Sequence, residues 1–117
     1  MINKDTEIYC SFAEKAGNVG CKLFNSAFNY YGIDKIYKSF SVNDIKGAIN
    51  SVRTLDIKGF AVTMPFKVEV IDYLDELDSG VQSIGAVNTV INDNGYLIGY
   101  NTDYLAAKEV LDECLGI

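Results

Sequence analysis

Three polar clusters interrupt an otherwise apolar pattern: Thr63 with Lys67 in V-T-M-P-F-K, Asn88 with Thr89 in V-N-T-V, and Asn101-Thr102-Asp103. A hydroxyl, an ammonium, a carboxamide and a carboxylate suit an oxygen-rich small molecule. The chain contains no histidine. Proton transfer therefore falls to Lys, Asp, Glu, Tyr or Cys, and the Ser-His-Asp and H-E-x-x-H chemistries are excluded. Taken singly, each cluster also has a structural reading. Lys67 fits a solvated lysine in a first helical turn, although a cation there opposes the helix dipole. Asn101, Thr102 and Asp103 fit a helix N-cap and first turn. Asn88 is harder to dismiss, because asparagine is a poor strand residue and a buried amide needs partners.

The elements around these clusters alternate between two periods. Glu7 to Phe12 reads as a short strand, followed by a loop from Ala13 to Asn18. Val19, Leu23, Phe24, Ala27, Phe28 and Tyr31 then follow helical spacing, with Asn18 as N-cap and Gly32 as the stop. Lys35 to Phe40 alternates as a half-buried strand. Ser41 with Asp44 resembles a capping box before a helix carrying Ile45, Ala48, Ile49 and Val52. Gly59 to Met64 is a third strand, ended by the chain's one proline, Pro65, which has no N–H to donate. Val70, Ile71, Leu74 and Leu77 predict a third helix. Ala86 to Asn92 reads as a strand, and Asp93-Asn94-Gly95 as a hairpin into Tyr96 to Tyr100. A closing helix runs from Thr102 through Leu105, Ala106, Val110, Leu111 and Cys114.

Strands alternating with helices predict a three-layer α/β sandwich, its sheet mainly parallel with one antiparallel strand added by the hairpin. In such sheets the carboxyl ends of the strands form the ligand site, which is where Thr63 and Lys67 fall. At 117 residues and 49% hydrophobic content the chain reads as one domain with a real core. Its net charge of −6 argues against a nucleic-acid partner. No apolar run approaches a membrane span, and Met-Ile-Asn-Lys-Asp does not open a signal peptide. Cys10, Cys21 and Cys114 form no C-x-x-C pair, so a reducing cytoplasm is expected, with no disulfide frame and no metal site.

Taken together and in order, the clusters resemble the shikimate dehydrogenase family, specifically its amino-terminal substrate-binding domain, a fold of the amino-acid dehydrogenase-like N-terminal class. An apolar pair followed by T-x-P-x-K is matched at Val62 to Lys67, G-A-V-N-T at Gly85 to Thr89, and G-x-N-T-D at Gly99 to Asp103. The resemblance covers essentially the whole chain. It implies an NAD(P)-dependent oxidoreductase of aromatic amino acid biosynthesis that interconverts 3-dehydroshikimate and shikimate. Lys67 and Asp103 match its catalytic pair, and Asn88 and Thr63 its contacts to substrate hydroxyls. Which of Lys67 and Asp103 is the formal base stays open.

Two departures from the family pattern shape the expectation. The family's S-x-S pair, which grips the substrate carboxylate, falls on Asn18 and Gly20, leaving Asn18 as a substitute donor at a helix N-terminus. Phe24 stands where a histidine is usual, and Tyr104 where a glycine is usual. These changes are similar to a shikimate dehydrogenase-like paralogue group that takes quinate or another polyol acid, or acts weakly on shikimate. Second, no G-x-G-x-x-G occurs, so the Rossmann domain that holds NADP or NAD in a complete family member is expected to be absent. Residues 1–103 are then the substrate-binding domain and 104–117 a closing interdomain helix, in a chain that binds no cofactor and transfers no hydride alone. The rivals are a non-catalytic small-molecule binding module and an interaction domain, the second with a homodimer formed through uncovered apolar faces. Continuation of the reading frame into a Gly-rich βαβ unit separates the enzyme from the binding module, and sedimentation at varied concentration tests the dimer.

Overall fold

Six strands, five of them at the period-2 runs, form one sheet in a computed structural model that describes residues 1–116. These are β1 (Glu7–Ala13), β2 (Lys35–Ser41), β3 (Gly59–Val62), β4 (Glu76–Leu77), β5 (Thr89–Asp93) and β6 (Tyr96–Tyr100). Their spatial order is β2-β1-β3-β5-β6-β4. β1 pairs in parallel with β2 and β3, and β4 with β6. β5 alone runs against its neighbours, β3 and β6, because the Asn94-Gly95 turn reverses the chain between β5 and β6. Both turn residues have positive φ, 52° and 92°. The helices are α1 (Val19–Tyr31), α2 (Ile45–Thr54), α3 (Phe66–Glu69), α4 (Ser79–Ile84) and α5 (Thr102–Leu115), with a 3₁₀ turn at Val70–Tyr73 continuing α3.

Cys10, Phe12, Phe60, Val62, Val90 and Leu97 present one face of the sheet, on which Ile45, Ile49 and Val52 of α2 close, together with Phe66, Val70 and Val81. All are buried. α1 packs along β2 at the other side. The Asn25 carboxamide donates to Tyr37 O (2.7 Å) and accepts from Tyr37 N (2.8 Å), and Cys21 Sγ accepts from Ser39 N (3.1 Å). These side chains stand where a further strand would pair, which closes the edge of the sheet. No helix among the described residues is long and apolar enough to cross a membrane.

Several sequence expectations change. The helix expected through Leu74 and Leu77 stops at Tyr73, Leu77 lies in β4, and α4 appears beyond it. Asp75 causes the break: its N–H donates to Leu97 O (2.9 Å) and its carboxylate accepts from Leu97 N (2.7 Å), tying the chain to β6. β3 ends at Val62 and β5 begins at Thr89, so Met64 and Asn88 lie outside the strands. Asp44, not Ser41, caps α2, accepting from Gly47 N (3.0 Å), while Ser41 Oγ accepts from Ala16 N. Asn18 precedes α1 but its side chain makes no cap bond. The apolar stripe of α1 is only partly covered: Val19, Leu23 and Tyr31 are exposed, whereas Ala27 and Phe28 are half-buried.

Candidate functional site

The ends of β1, β3 and β6 and the start of β5 meet at one edge of the sheet, and the segment Val87-Asn88 ties them together. Asn88 O accepts from Val62 N (2.9 Å), Asn88 N donates to Tyr100 O (3.0 Å), and Val87 N donates to Lys67 O (2.8 Å). Thr63 N donates to Phe12 O (3.3 Å), which adds β1 to the group. These main-chain bonds bring Thr63, Lys67, Asn88 and the start of α5 to one place from three distant parts of the sequence. The link to α5 is made by side chains. Asn88 Oδ1 accepts from Thr102 N (2.9 Å) and from Thr89 Oγ1 (3.0 Å), and Asn88 Nδ2 donates to Thr102 Oγ1 (3.0 Å).

Asn101 turns out to be structural. It is buried, caps α5 by accepting from Tyr104 N (2.9 Å), and donates through Nδ2 to Ala86 O (3.1 Å). Asp103 follows in the first turn of α5, exposed, where a carboxylate suits the helix dipole. Tyr104 lays its ring over Gly80 of α4, a residue whose missing side chain leaves the room for it. Sequence reasoning did not single out Thr89 and Thr102 as the supports of Asn88. The signal for them was the N-T dipeptide repeated at 88–89 and 101–102, and it carries no information on which residues pair.

Lys67 is half-buried in the single turn of α3, a helix too short for its dipole to favour or oppose a cation. Five ion pairs form among the described residues, using Lys4, Lys35, Arg53, Lys58 and Lys108, and Lys67 takes part in none of them. Thr63 is exposed beside it. Asn18 follows the loop after β1 and is exposed, its carbonyl accepts from Lys22 N (3.0 Å), and its side chain makes no cap bond. Gly20 lies next to the ring of Tyr37, 3.1 Å from where a Cβ would sit. Near this start of α1 the Ser39 hydroxyl holds the Cys21 thiol below its ordinary value, with burial opposing and the Ser39 N–H and Lys38 assisting.

No glycine with positive φ opens a helix among the described residues. Gly32, Gly85 and Gly116 close helices and Gly95 forms the hairpin.

Comparison with known proteins gives a consistent result. The model of the shikimate dehydrogenase substrate binding domain matches residues 18–90. A shikimate dehydrogenase-like protein of Haemophilus influenzae is 43% identical over 113 residues, which are 97% of this chain and 42% of that protein. A shikimate dehydrogenase (NADP(+)) of Pyrococcus furiosus is 46% identical over 114 residues, 96% of this chain and 42% of that protein. Among solved structures, shikimate 5-dehydrogenase from Listeria monocytogenes in complex with shikimate and NAD superposes with a TM-score of 0.86 at 34% identity. That match covers 97% of this chain and 40% of the other. The chain thus spans less than half the length of each of these relatives.

Proposed function

The chain belongs to the shikimate dehydrogenase family, in its substrate-binding domain, and on that premise we propose that the Thr63–Lys67–Asn88–Asp103 edge binds a small hydroxylated carboxylic acid of the shikimate or quinate kind. The observation that carries the proposal is the web of bonds through Val87-Asn88, which brings Thr63, Lys67 and Asn88 to the start of α5, together with a lysine that pairs with no acidic side chain among the described residues. Thr63 and Asn88 bind ligand hydroxyls. Lys67 stands at the oxygen that gains or loses a proton and stabilises charge on it, and Asp103 is its partner in that proton traffic. Asn18 and the free N–H groups of the first turn of α1 receive the acid end.

In a complete family member NADP or NAD would supply the hydride acceptor or donor. Residues 1–103 act as the binding domain. α5 (Thr102–Leu115) joins it to further protein, either a second domain or a second copy of the chain, and Ile117 of the expected 104–117 stretch lies outside the described residues. Exposed Leu105, Val110 and Leu111 on α5 fit that use.

Calorimetric titration of the chain with shikimate and with quinate, on wild type and Lys67→Ala, tests the reading. One of the acids is expected to bind the wild type, and the variant to bind it about tenfold or more weakly, the worth of one charge-assisted hydrogen bond. Equal affinity for both proteins removes Lys67 from the site. An absence of heat with both acids overturns the ligand class.

A further inference from the structure

We propose that Thr102 is a positioning residue which, with Thr89, locks the Asn88 carboxamide so that this wall of the site offers donors and accepts only a ligand oxygen that can receive them. The proposal rests on the reading of the site given above and specifies what its ligand must present.

The orientation of the amide follows from chemistry. A main-chain N–H only donates, so the Asn88 atom 2.9 Å from Thr102 N is the oxygen, and the nitrogen is thereby assigned. The Thr89 hydroxyl donates to the same oxygen at 3.0 Å. Both lone pairs of Asn88 Oδ1 are then engaged. One hydrogen of Nδ2 goes to Thr102 Oγ1 at 3.0 Å and the other is free for a ligand. The Thr102 hydroxyl, having accepted that bond, can turn its own proton to Oδ1 at 3.2 Å, which already holds two bonds, or toward the ligand. No acceptor on Asn88 is left over. A hydroxyl or carbonyl oxygen satisfies the wall, and an ammonium in its place leaves the Nδ2 hydrogen unpaired and faces another donor.

Thr102 is not needed for the helix that it begins, because Asn101 supplies the cap of α5. It occupies the first helical position, which tolerates proline, and Asn101 is extended (φ −120°, ψ 104°), as a residue before proline must be. Three substitutions therefore dissect the lock without unmaking the helix. Thr102→Ser keeps every donor and acceptor, Thr102→Val removes the hydroxyl, and Thr102→Pro removes both the hydroxyl and the main-chain N–H.

The test uses the ¹⁵N-labelled chain with two readouts: hydrogen exchange of the Asn88 side-chain amide by NMR, and calorimetric affinity for shikimate. Thr102→Ser is expected to match the wild type within about twofold in both. Thr102→Val is expected to speed Asn88 amide exchange and to weaken shikimate binding, each by about tenfold, the worth of one hydrogen bond, and Thr102→Pro, which loses a second bond, to do so by more. Unmoved Asn88 signals in Thr102→Pro overturn the lock, as does a Thr102→Ser variant as impaired as Thr102→Val. If shikimate fails to bind the wild type, the ligand reading falls, and the Asn88 amide signals alone then decide the lock.

Discussion

Replacing Gly80 by alanine probes how the first turn of α5 is held, and the sign of the effect is set by one ring. Gly80 lies in α4, outside the left-handed region, so its backbone accepts a side chain. In a helix alanine is better than glycine by about 0.5–1 kcal/mol. The new Cβ, however, falls 2.6 Å from Tyr104 Cε1 and closer still to Cδ1. Comfortable carbon contacts begin near about 3.5 Å, so the ring must move by roughly 1 Å. Overpacking of this kind costs about 1–3 kcal/mol, and it outweighs the propensity gain. The expected net effect of Gly80→Ala is a destabilisation of about 1 kcal/mol.

In a Tyr104→Ala background the obstacle is gone, and the same substitution should stabilise by up to about 1 kcal/mol. A sign reversal between backgrounds, with a coupling of about 1–3 kcal/mol, is thus expected from urea unfolding of the four proteins, with unchanged slopes. An equal effect of Gly80→Ala in both backgrounds would refute the reasoning. Because Tyr104 adjoins Asp103, the displaced ring also perturbs the carboxylate assigned to the site.

Two further outcomes follow from titratable groups away from the site. Leu97 N–H, first, and the Arg53 guanidinium hold the Asp75 carboxyl below the usual carboxylate range, with burial opposing them. A lowered native pKa contributes stability above the unfolded value of about 3.9 and loses it as pH falls through the native one. Asp75→Asn should therefore be less stable than wild type at pH 7, by no more than about 1 kcal/mol because the carboxylate is partly solvated. The gap should close below pH 4, and a gap of constant size in urea melts from pH 7 down to about pH 3 would reject this account. Burial pushes the Cys10 thiol up to about 12, whereas Cys21 is half-buried and Cys114 exposed. A thiol reagent at pH 8 should label two cysteines in the native chain and the third only after denaturation; fast labelling of all three would show the core to be open.

Elements whose faces are settled locally were legible in the sequence. Ile45, Ile49 and Val52 meet on one side of a helix and all three are buried. Asp93-Asn94-Gly95 makes the turn that its residue types demand, and Gly32 closes α1 at φ 65°. The helix expected over Val70 to Leu77 is cut short, because Val70, Ile71, Leu74 and Leu77 satisfy helical spacing equally well in a chain that Asp75 diverts to β6. That diversion depends on a partner 22 residues away, and no local period contains it. α4 is six residues long, with Gly80 and Val81 its only buried positions, too short for a period to show. The polar clusters were legible as residue types, and the sheet explains why they meet. Which members face a ligand and which brace the frame depends on contacts such as Asn88 to Thr102, 14 residues apart.

The hydrogen bonds divide those clusters in a way that composition does not. Asn101 and Thr89 use their side-chain groups on the protein: the cap of α5 and the carbonyl of Ala86 in one case, the oxygen of Asn88 in the other. Lys67 joins no ion pair among the described residues, and the Asn18 side chain forms no cap. In the proposed site a ligand oxygen held between Lys67 and Asn88 would give this half-buried cation a partner. Asn88 belongs to both groups, since its main chain joins β3 to β6 while one amide hydrogen stays unspent. That dual use makes Asn88 the residue through which a change in the frame is felt at the site. Any substitution that loosens the Thr102 contact should therefore reach the ligand without touching it.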